Sequence, residues 1–291
     1  MDLSRGRALG LIASVPMLAR CGRSRAIRVG SKNFTESIVV AEIYAAALEH
    51  AGIAVERRLD LGSTQIALAA MARGDIDLYP EYTGTALIDV LHHAPISDPR
   101  EIYQTVKDAF RKSYDLEWLV PSPMNDSQGI ATTRALADRY RLQTLSDLAG
   151  RAPQLRLATI PEFLSRSDGL PGLQRRYGGF AFKSVHTYDI ALKYQALLTG
   201  AADVATAFTT DGTIASQHLV VLRDDKHLWP AYNVAPVVRH ETLARDPRIA
   251  AILNAVSPSI TDAKASQMNA AVEDRKRDPA DVAAEFLKER R

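Results

Sequence analysis

One cysteine, Cys21, stands among 291 residues, so no intrachain disulfide can form. After the first twenty residues there is no run of about 18 apolar residues, which excludes a membrane-spanning helix from that remainder. An excess of one charge is also missing. Lys and Arg total 36 against 34 Asp and Glu, and a net charge of +2 carries no electrostatic case for nucleic acid. G-x-S-x-G, P-loop and H-E-x-x-H patterns are all absent. Of the seven histidines only His92 and His93 are neighbours, in a helix-end loop where adjacent side chains do not face one metal. The chain therefore reads as a non-enzyme with no catalytic residue, no metal site and no cofactor. It also lacks a DNA-binding segment, which leaves a sensor reading without its output half.

What is present is the composition of a soluble globular protein, 46% hydrophobic and 24% charged, in a length that suits one large domain or two lobes. Arg5 and Arg7 precede an apolar run from Ala8 to Ala19, followed by Arg20 and Cys21. A charged stretch and a short apolar core read as an export signal, assigned to residues 1–25. "LARC" resembles a bacterial lipobox with Cys21 at the acylated position, although Arg20 stands where a small residue is usual.

From Ala26 strand and helix patterns alternate. "AIRVGS" is a short strand; Thr35 is placed to cap a helix running to Ala51; "VERRLDL" alternates as a half-exposed strand. Ser63 is placed to cap a helix to Arg73, and "DIDLYP" reads as a buried strand stopped by Pro80. Beyond the turn-rich "PSPMNDS" come a strand over 129–133, helices over 135–150, the strand "LRLATI" and a helical end from Pro247. Such alternation predicts mainly parallel sheets covered by helices.

An internal repeat sharpens this. "GDIDLYPEYT" at 74–83 aligns without gaps on "GAADVATAFT" at 200–209, a constant offset of 126 that pairs Asp77 with Asp203 and Tyr82 with Phe208. Two lobes of similar build would each bring an aromatic residue and a threonine to the carboxyl end of a strand, where ligands bind in open α/β sheets. Aromatic faces attract desolvated cations, including quaternary ammonium groups that have no N–H to donate. Tyr82, Phe208 and Tyr232 are the candidate walls, against the commoner reading of any single aromatic as core packing. Lys32 lies between a strand end and a helix start, and Arg166 sits in the glycine-bearing loop "FLSRSDGLPG". Both can serve an anionic group, with Thr85 as a hydroxyl donor. Either cation alone is more often a solvated surface group.

"VGSKNFTES", "GSTQIALAAMARGDIDLYPEYTGT", "EFLSRSDGLPGLQRRYG", "AFTTDG" and "WPAYNVAPVVR" together resemble the solute-binding proteins of osmoprotectant ABC importers, the glycine betaine, choline and carnitine class. The resemblance implies a type II periplasmic-binding fold: two α/β lobes joined by two hinge strands, with the ligand cleft between them. It implies a discontinuous first lobe, residues 26–124 and 232–291, around a second lobe of 125–231. It also implies an extracytoplasmic protein delivering a small zwitterion or cation to a permease in the inner membrane that a cytoplasmic ATPase drives. Carried over by position, Tyr82 and Tyr232 match cage tyrosines, and Phe208 keeps a ring where tyrosine is usual. Lys32, Thr85 and Arg166 match contacts to a ligand carboxylate. Gln128 departs from the pattern, since relatives usually place Tyr or Trp there. Asp126 either compensates by charge or caps the following segment. The departure leaves a second reading open: a different small amine, amino acid or zwitterion as ligand.

Overall fold

The computed structural model describes residues 26–290, so the segment expected to be an export signal, with Cys21, lies outside the described residues. Ten strands follow in chain order: β1 (Ile27–Gly30), β2 (Val55–Arg58), β3 (Leu78–Tyr82), β4 (Leu116–Trp118), β5 (Gln128–Thr132), β6 (Arg156–Thr159), β7 (Ser184–Thr187), β8 (Val204–Phe208), β9 (Val220–Val221) and β10 (Val234–Arg239). They form two sheets, ordered β2-β1-β3-β10-β4 and β7-β6-β8-β5-β9. In each, three strands run parallel and the fourth and fifth are joined through antiparallel pairing. The two sheets have the same pairing pattern, position for position, although the antiparallel strand enters the first sheet last and the second sheet first. Helices cover both faces of each, which is why central strands such as β1 and β3 are buried along their whole length.

The repeat inferred from sequence falls on equivalent strands. β3 and β8 keep the offset of 126 at both ends. Gly74 and Gly200, at the ends of the preceding helical segments, both have left-handed backbones (φ 71° and 73°), a conformation that glycine adopts without steric cost. The aspartates of the repeat have one job in both lobes. Asp77 accepts the backbone N–H of Arg28 and two hydrogen bonds from its guanidinium, and Asp203 does the same for Arg156. Each carboxylate thus fastens the entry of its strand, β3 or β8, to the parallel neighbour, β1 or β6, at the opposite end from Tyr82 or Phe208.

Two details differ from the sequence reading. Pro80 does not stop β3 but sits at its centre, opposite Pro236 of β10. β3 pairs with β1 only at Leu78, so beyond that point the missing N–H of Pro80 deprives no partner. Thr35 is the first residue of its helix rather than its cap; extended Phe34 precedes it and supplies no side-chain cap. Ser63 holds the expected cap position, again without a side-chain bond.

The chain crosses between sheets twice, after β4 and before β10. The crossing segments are tied by a bridge between Asn125 and Asn233 and by the Asn125 Oδ1 that accepts the Tyr232 N–H at 2.7 Å. No helix among the described residues is long and apolar enough to cross a membrane.

Candidate functional site

The carboxyl ends of the two equivalent strands face one cavity of about 210 Å³, between the sheets and over the crossing segments. Tyr82 closes β3 and Phe208 closes β8; Gln128 opens β5 directly opposite Phe208 in the register. The crossing segments contribute Asp126 and Tyr232. The turns after β1 and β3 contribute Lys32 and Thr85, and the segment after β6 contributes Arg166. All eight residues singled out from sequence therefore line the same space. Gly84 in "EYTGT" has a local reason: a Cβ there would lie 2.6 Å from the Tyr232 ring, so only glycine lets that ring pack against the turn.

Each lobe sets one buried cation–carboxylate pair at the cavity wall. In the first, Lys32 Nζ donates to Glu81 at 2.6 Å and to Thr64 at 3.3 Å, while lying 4.7 Å from the centre of the Tyr82 ring. One face of Tyr82 is thereby taken by the protein's own ammonium. In the second, Arg166 grips the fully buried Asp168 through Nε and Nη2, leaving Nη1 with only Asp89 of the first lobe at 3.8 Å. Burial works against the guanidinium's charge, but the hydrogen bonds and attraction of Asp168 outweigh it, and the Arg166 pKa is raised. Lys193 lies 4.3 Å from the centre of the Phe208 ring and pairs with Asp211 at 2.9 Å. From unrelated chain positions, both lobes place a lysine over a face of their strand-end ring.

Asp168 is also the hub that positions two further wall residues. Its Oδ2 accepts from Gln128 Nε2 at 2.7 Å and from the Tyr232 hydroxyl at 2.5 Å. Gln128 is thus a positioned amide, tied to the same carboxylate as Arg166. Burial and the neighbouring Asp168 charge push the Tyr232 phenol well above its ordinary range, so it stays a neutral donor. Behind Tyr82, whose hydroxyl donates to Glu36 at 2.8 Å, lies a second group of acids. Burial raises Glu36, and burial with the charges of Glu36 and Asp211 raises Asp126 well above the carboxylate range. The expected compensation by a negative charge at Asp126 is thus opposed by burial and by the neighbouring acids. Asp126 also does not cap the next segment; it meets Thr210, its neighbour where the β5–β8 pairing continues beyond Gln128 and Phe208.

Sequence reasoning missed the rings of Phe34, Phe163 and Tyr188, which complete the aromatic part of the lining. Tyr188 could have been found by the rule that found Tyr82, since it directly follows strand β7. Asp168 stands two residues from Arg166, and Glu81 lies inside the repeat. Nothing local marked either as a partner.

The lining pairs aromatic faces with a partly free guanidinium and hydroxyl donors. Such a wall can enclose a small molecule carrying a positive and a negative end. Comparisons with known proteins place the chain in a family. Residues 25–289 match the OpuAC family model, described as the substrate-binding domain of ABC-type glycine betaine transport systems. The chain is 33% identical over 293 residues to a glycine-betaine-binding protein of Pseudomonas aeruginosa, covering 97% of this chain and 94% of that one. It is 32% identical over 260 residues to an ergothioneine transport permease/ergothioneine binding protein of Helicobacter pylori, covering 89% of this chain and 46% of that longer one. A crystal structure described as a glycine betaine/carnitine/choline ABC transporter superposes with a TM-score of 0.75 at 31% identity, covering 90% of this chain and 98% of the other. The fold is the two-lobed type II periplasmic-binding fold.

Proposed function

The chain belongs to the OpuAC family of substrate-binding domains of ABC-type glycine betaine transport systems, and from that premise we propose that its cavity captures a trimethylammonium compound between the lobes. It is the binding component of an importer, works outside the cytoplasm and is not an enzyme. Tyr82, Phe208 and Tyr232 are the proposed walls around the cation, with Phe34 and Tyr188 supplying ring surface where Gln128 supplies none. Arg166 Nη1, Thr85 and the remaining Lys32 donor are the proposed partners of a ligand carboxylate. Asp126 and Gln128 line the same wall as polar contacts. Glycine betaine, carnitine and choline share the cation, and the first two add a carboxylate.

The observation that carries this reading is the placement of Tyr82 and Phe208 at matching ends of equivalent strands, facing each other's lobe across one cavity. A desolvated cation gains on the order of 2 kcal/mol from a well-placed ring. The delivery partners are a membrane permease and its ATPase; the relative whose name joins a permease to a binding protein supports the first. Cys21, in its lipobox-like setting, is the proposed lipid anchor.

A thermal-shift screen tests the ligand class. Native-state binding at about 100 times the dissociation constant adds roughly 2.7 kcal/mol of stability. Glycine betaine, carnitine or choline should therefore raise the melting temperature. A shift by sugars or peptides with none by these compounds would overturn the proposal.

A further inference from the structure

We propose that Asp126 faces the cavity as a neutral carboxylic acid, its proton donated to Thr210, and that this proton sets the balance between cationic and zwitterionic ligands. The inference rests on the ligand class proposed above and deepens it.

Thr210 Oγ lies 2.5 Å from Glu36 Oε2 and 2.6 Å from Asp126 Oδ1. A hydroxyl has one proton, so it can donate to only one of these oxygens, and the other must donate to it. Two ionised carboxylates at such distances would leave one facing a bare lone pair. The remaining bonds locate the extra proton. Asn269 Nδ2 reaches both Glu36 Oε2 at 2.9 Å and the Thr210 carbonyl at 3.0 Å. A carbonyl only accepts, which fixes the amide's orientation and makes Oε2 an acceptor. With the Tyr82 hydroxyl at 2.8 Å on Oε1, Glu36 receives two good donors apart from Thr210 Oγ, one on each oxygen, the pattern of an ionised carboxylate. Asp126 receives, besides Thr210 Oγ, only the Thr210 N–H at 3.3 Å. The proton therefore belongs on Asp126 Oδ1.

The charges around it favour this state. Glu36 faces Asp126 from the helix Thr35–His50, and Asp211 faces it from the turn after β8. Lys193 is committed to Asp211, and Tyr194 also donates to that carboxylate. Lys32, above the Tyr82 ring, is committed to Glu81. Glu273, on the helix Asp262–Glu273, is itself pushed up to about 7 by burial and the charge of Asp211. Among the described residues no cation is directed at Asp126.

A neutral Asp126 adds no charge to the wall, so a ligand's own carboxylate meets no repulsion there. Once ionised, it attracts a bare cation such as choline and opposes the carboxylate of glycine betaine. Neither ligand titrates between about pH 6 and pH 9, so a change in their relative affinity over that range reports on the protein.

Calorimetric titrations of both ligands across that range test the idea in wild type and Asp126→Asn. The choline-to-betaine affinity ratio should rise with pH by about tenfold in wild type, and the rise should vanish in the variant. Melting temperatures locate the proton. Asp126→Asn retains a donor to Thr210 and should melt close to wild type near pH 6, whereas Glu36→Gln turns an acceptor into a donor and should melt several degrees lower. A flat wild-type ratio, a rise that persists in Asp126→Asn, or the reverse order of melting temperatures overturns the proposal. If neither ligand binds wild type, the ligand class fails separately. The carboxyl carbon shift of Asp126 then still decides, since an ionised Asp126 at about pH 6 overturns the assignment.

Discussion

The Arg28–Asp77 pair of the first lobe and the Arg156–Asp203 pair of the second make the same three hydrogen bonds at different depths. The first pair's side chains are 11% and 1% exposed, the second's 37% and 19%. Identical geometry in both lobes ties the bond to topology: it sets where β3 or β8 enters beside its parallel neighbour, and so where its far end delivers a ring. Depth then decides how much stability hangs on it. For Asp77, burial alone would raise the pKa, but the Arg28 hydrogen bonds and charge outweigh it and the pKa is lowered. Asp203 is lowered chiefly by its hydrogen bond to Arg156. A depressed carboxylate contributes stability above its unfolded pKa that is lost as the pH falls through the folded one.

The largest expected effect follows from that difference. Asp77→Ala leaves Arg28 buried without its partner and should cost about 3–5 kcal/mol. Asp203→Ala leaves a guanidinium that water can reach and should cost far less. Urea unfolding of the two variants compares them directly. Equal losses would mean that the bond's geometry, not its burial, sets its value.

The cation–carboxylate pairs at the cavity wall extend the comparison to binding. Arg166 has a nitrogen to spare for a ligand, while Lys32 shares its donors between Glu81 and Thr64. Arg166→Ala should weaken glycine betaine by about 2–5 kcal/mol, partly because the ligand's charge is left buried and unpaired. Choline, lacking a carboxylate, should lose much less. Lys32→Ala should weaken glycine betaine less, because two of the three ammonium donors already go to Glu81 and Thr64. Equal losses of betaine and choline in Arg166→Ala would assign Arg166 to lobe closure, through its contact with Asp89, rather than to the carboxylate.

Much of this architecture was legible because it is written in short range. Apolar patterning located β1, β2, β3, β5 and β6 but not β4, β7, β9 or β10, and the 126-residue offset located two equivalent strand ends with their rings. The Pro80 error has the same origin. A proline's effect on a strand depends on which neighbour its missing N–H would have faced, and that neighbour, β1, is about fifty residues away. Asp168, Glu36 and Thr210 were invisible for a related reason. Each acts through a partner in another segment, and a carboxylate's protonation depends on donors that only folding assembles. Strand-end and loop position suggested Lys32, Thr85 and Arg166 for an anionic group, and the family resemblance assigned them to a ligand carboxylate; neither could say that Lys32 and Arg166 already hold carboxylates.

The smallest expected effect concerns Gln128, where the two halves of the cage differ most. Its position opposite Phe208 in the β5–β8 register means that a tyrosine there would stand beside that ring on the same face of the sheet. The substitution removes the Nε2 donor to Asp168, yet that carboxylate keeps two bonds from Arg166 and one from Tyr232. Gln128→Tyr should therefore fold, and the new ring should add a cation–π contact worth about 0.5–2 kcal/mol. Since 1.4 kcal/mol is a factor of ten, the dissociation constant for glycine betaine should fall by a few-fold to roughly thirtyfold. A ring is also larger than an amide, and the cavity holds only about 210 Å³. The bulkier carnitine should lose affinity in the same variant. Calorimetry with both ligands separates the outcomes. A gain for betaine with a loss for carnitine means that Gln128 leaves room the longer ligand uses. A loss for both means that the amide held by Asp168 contacts the ligand itself, and that the second lobe recognises its ligand by hydrogen bonding where the first uses a ring.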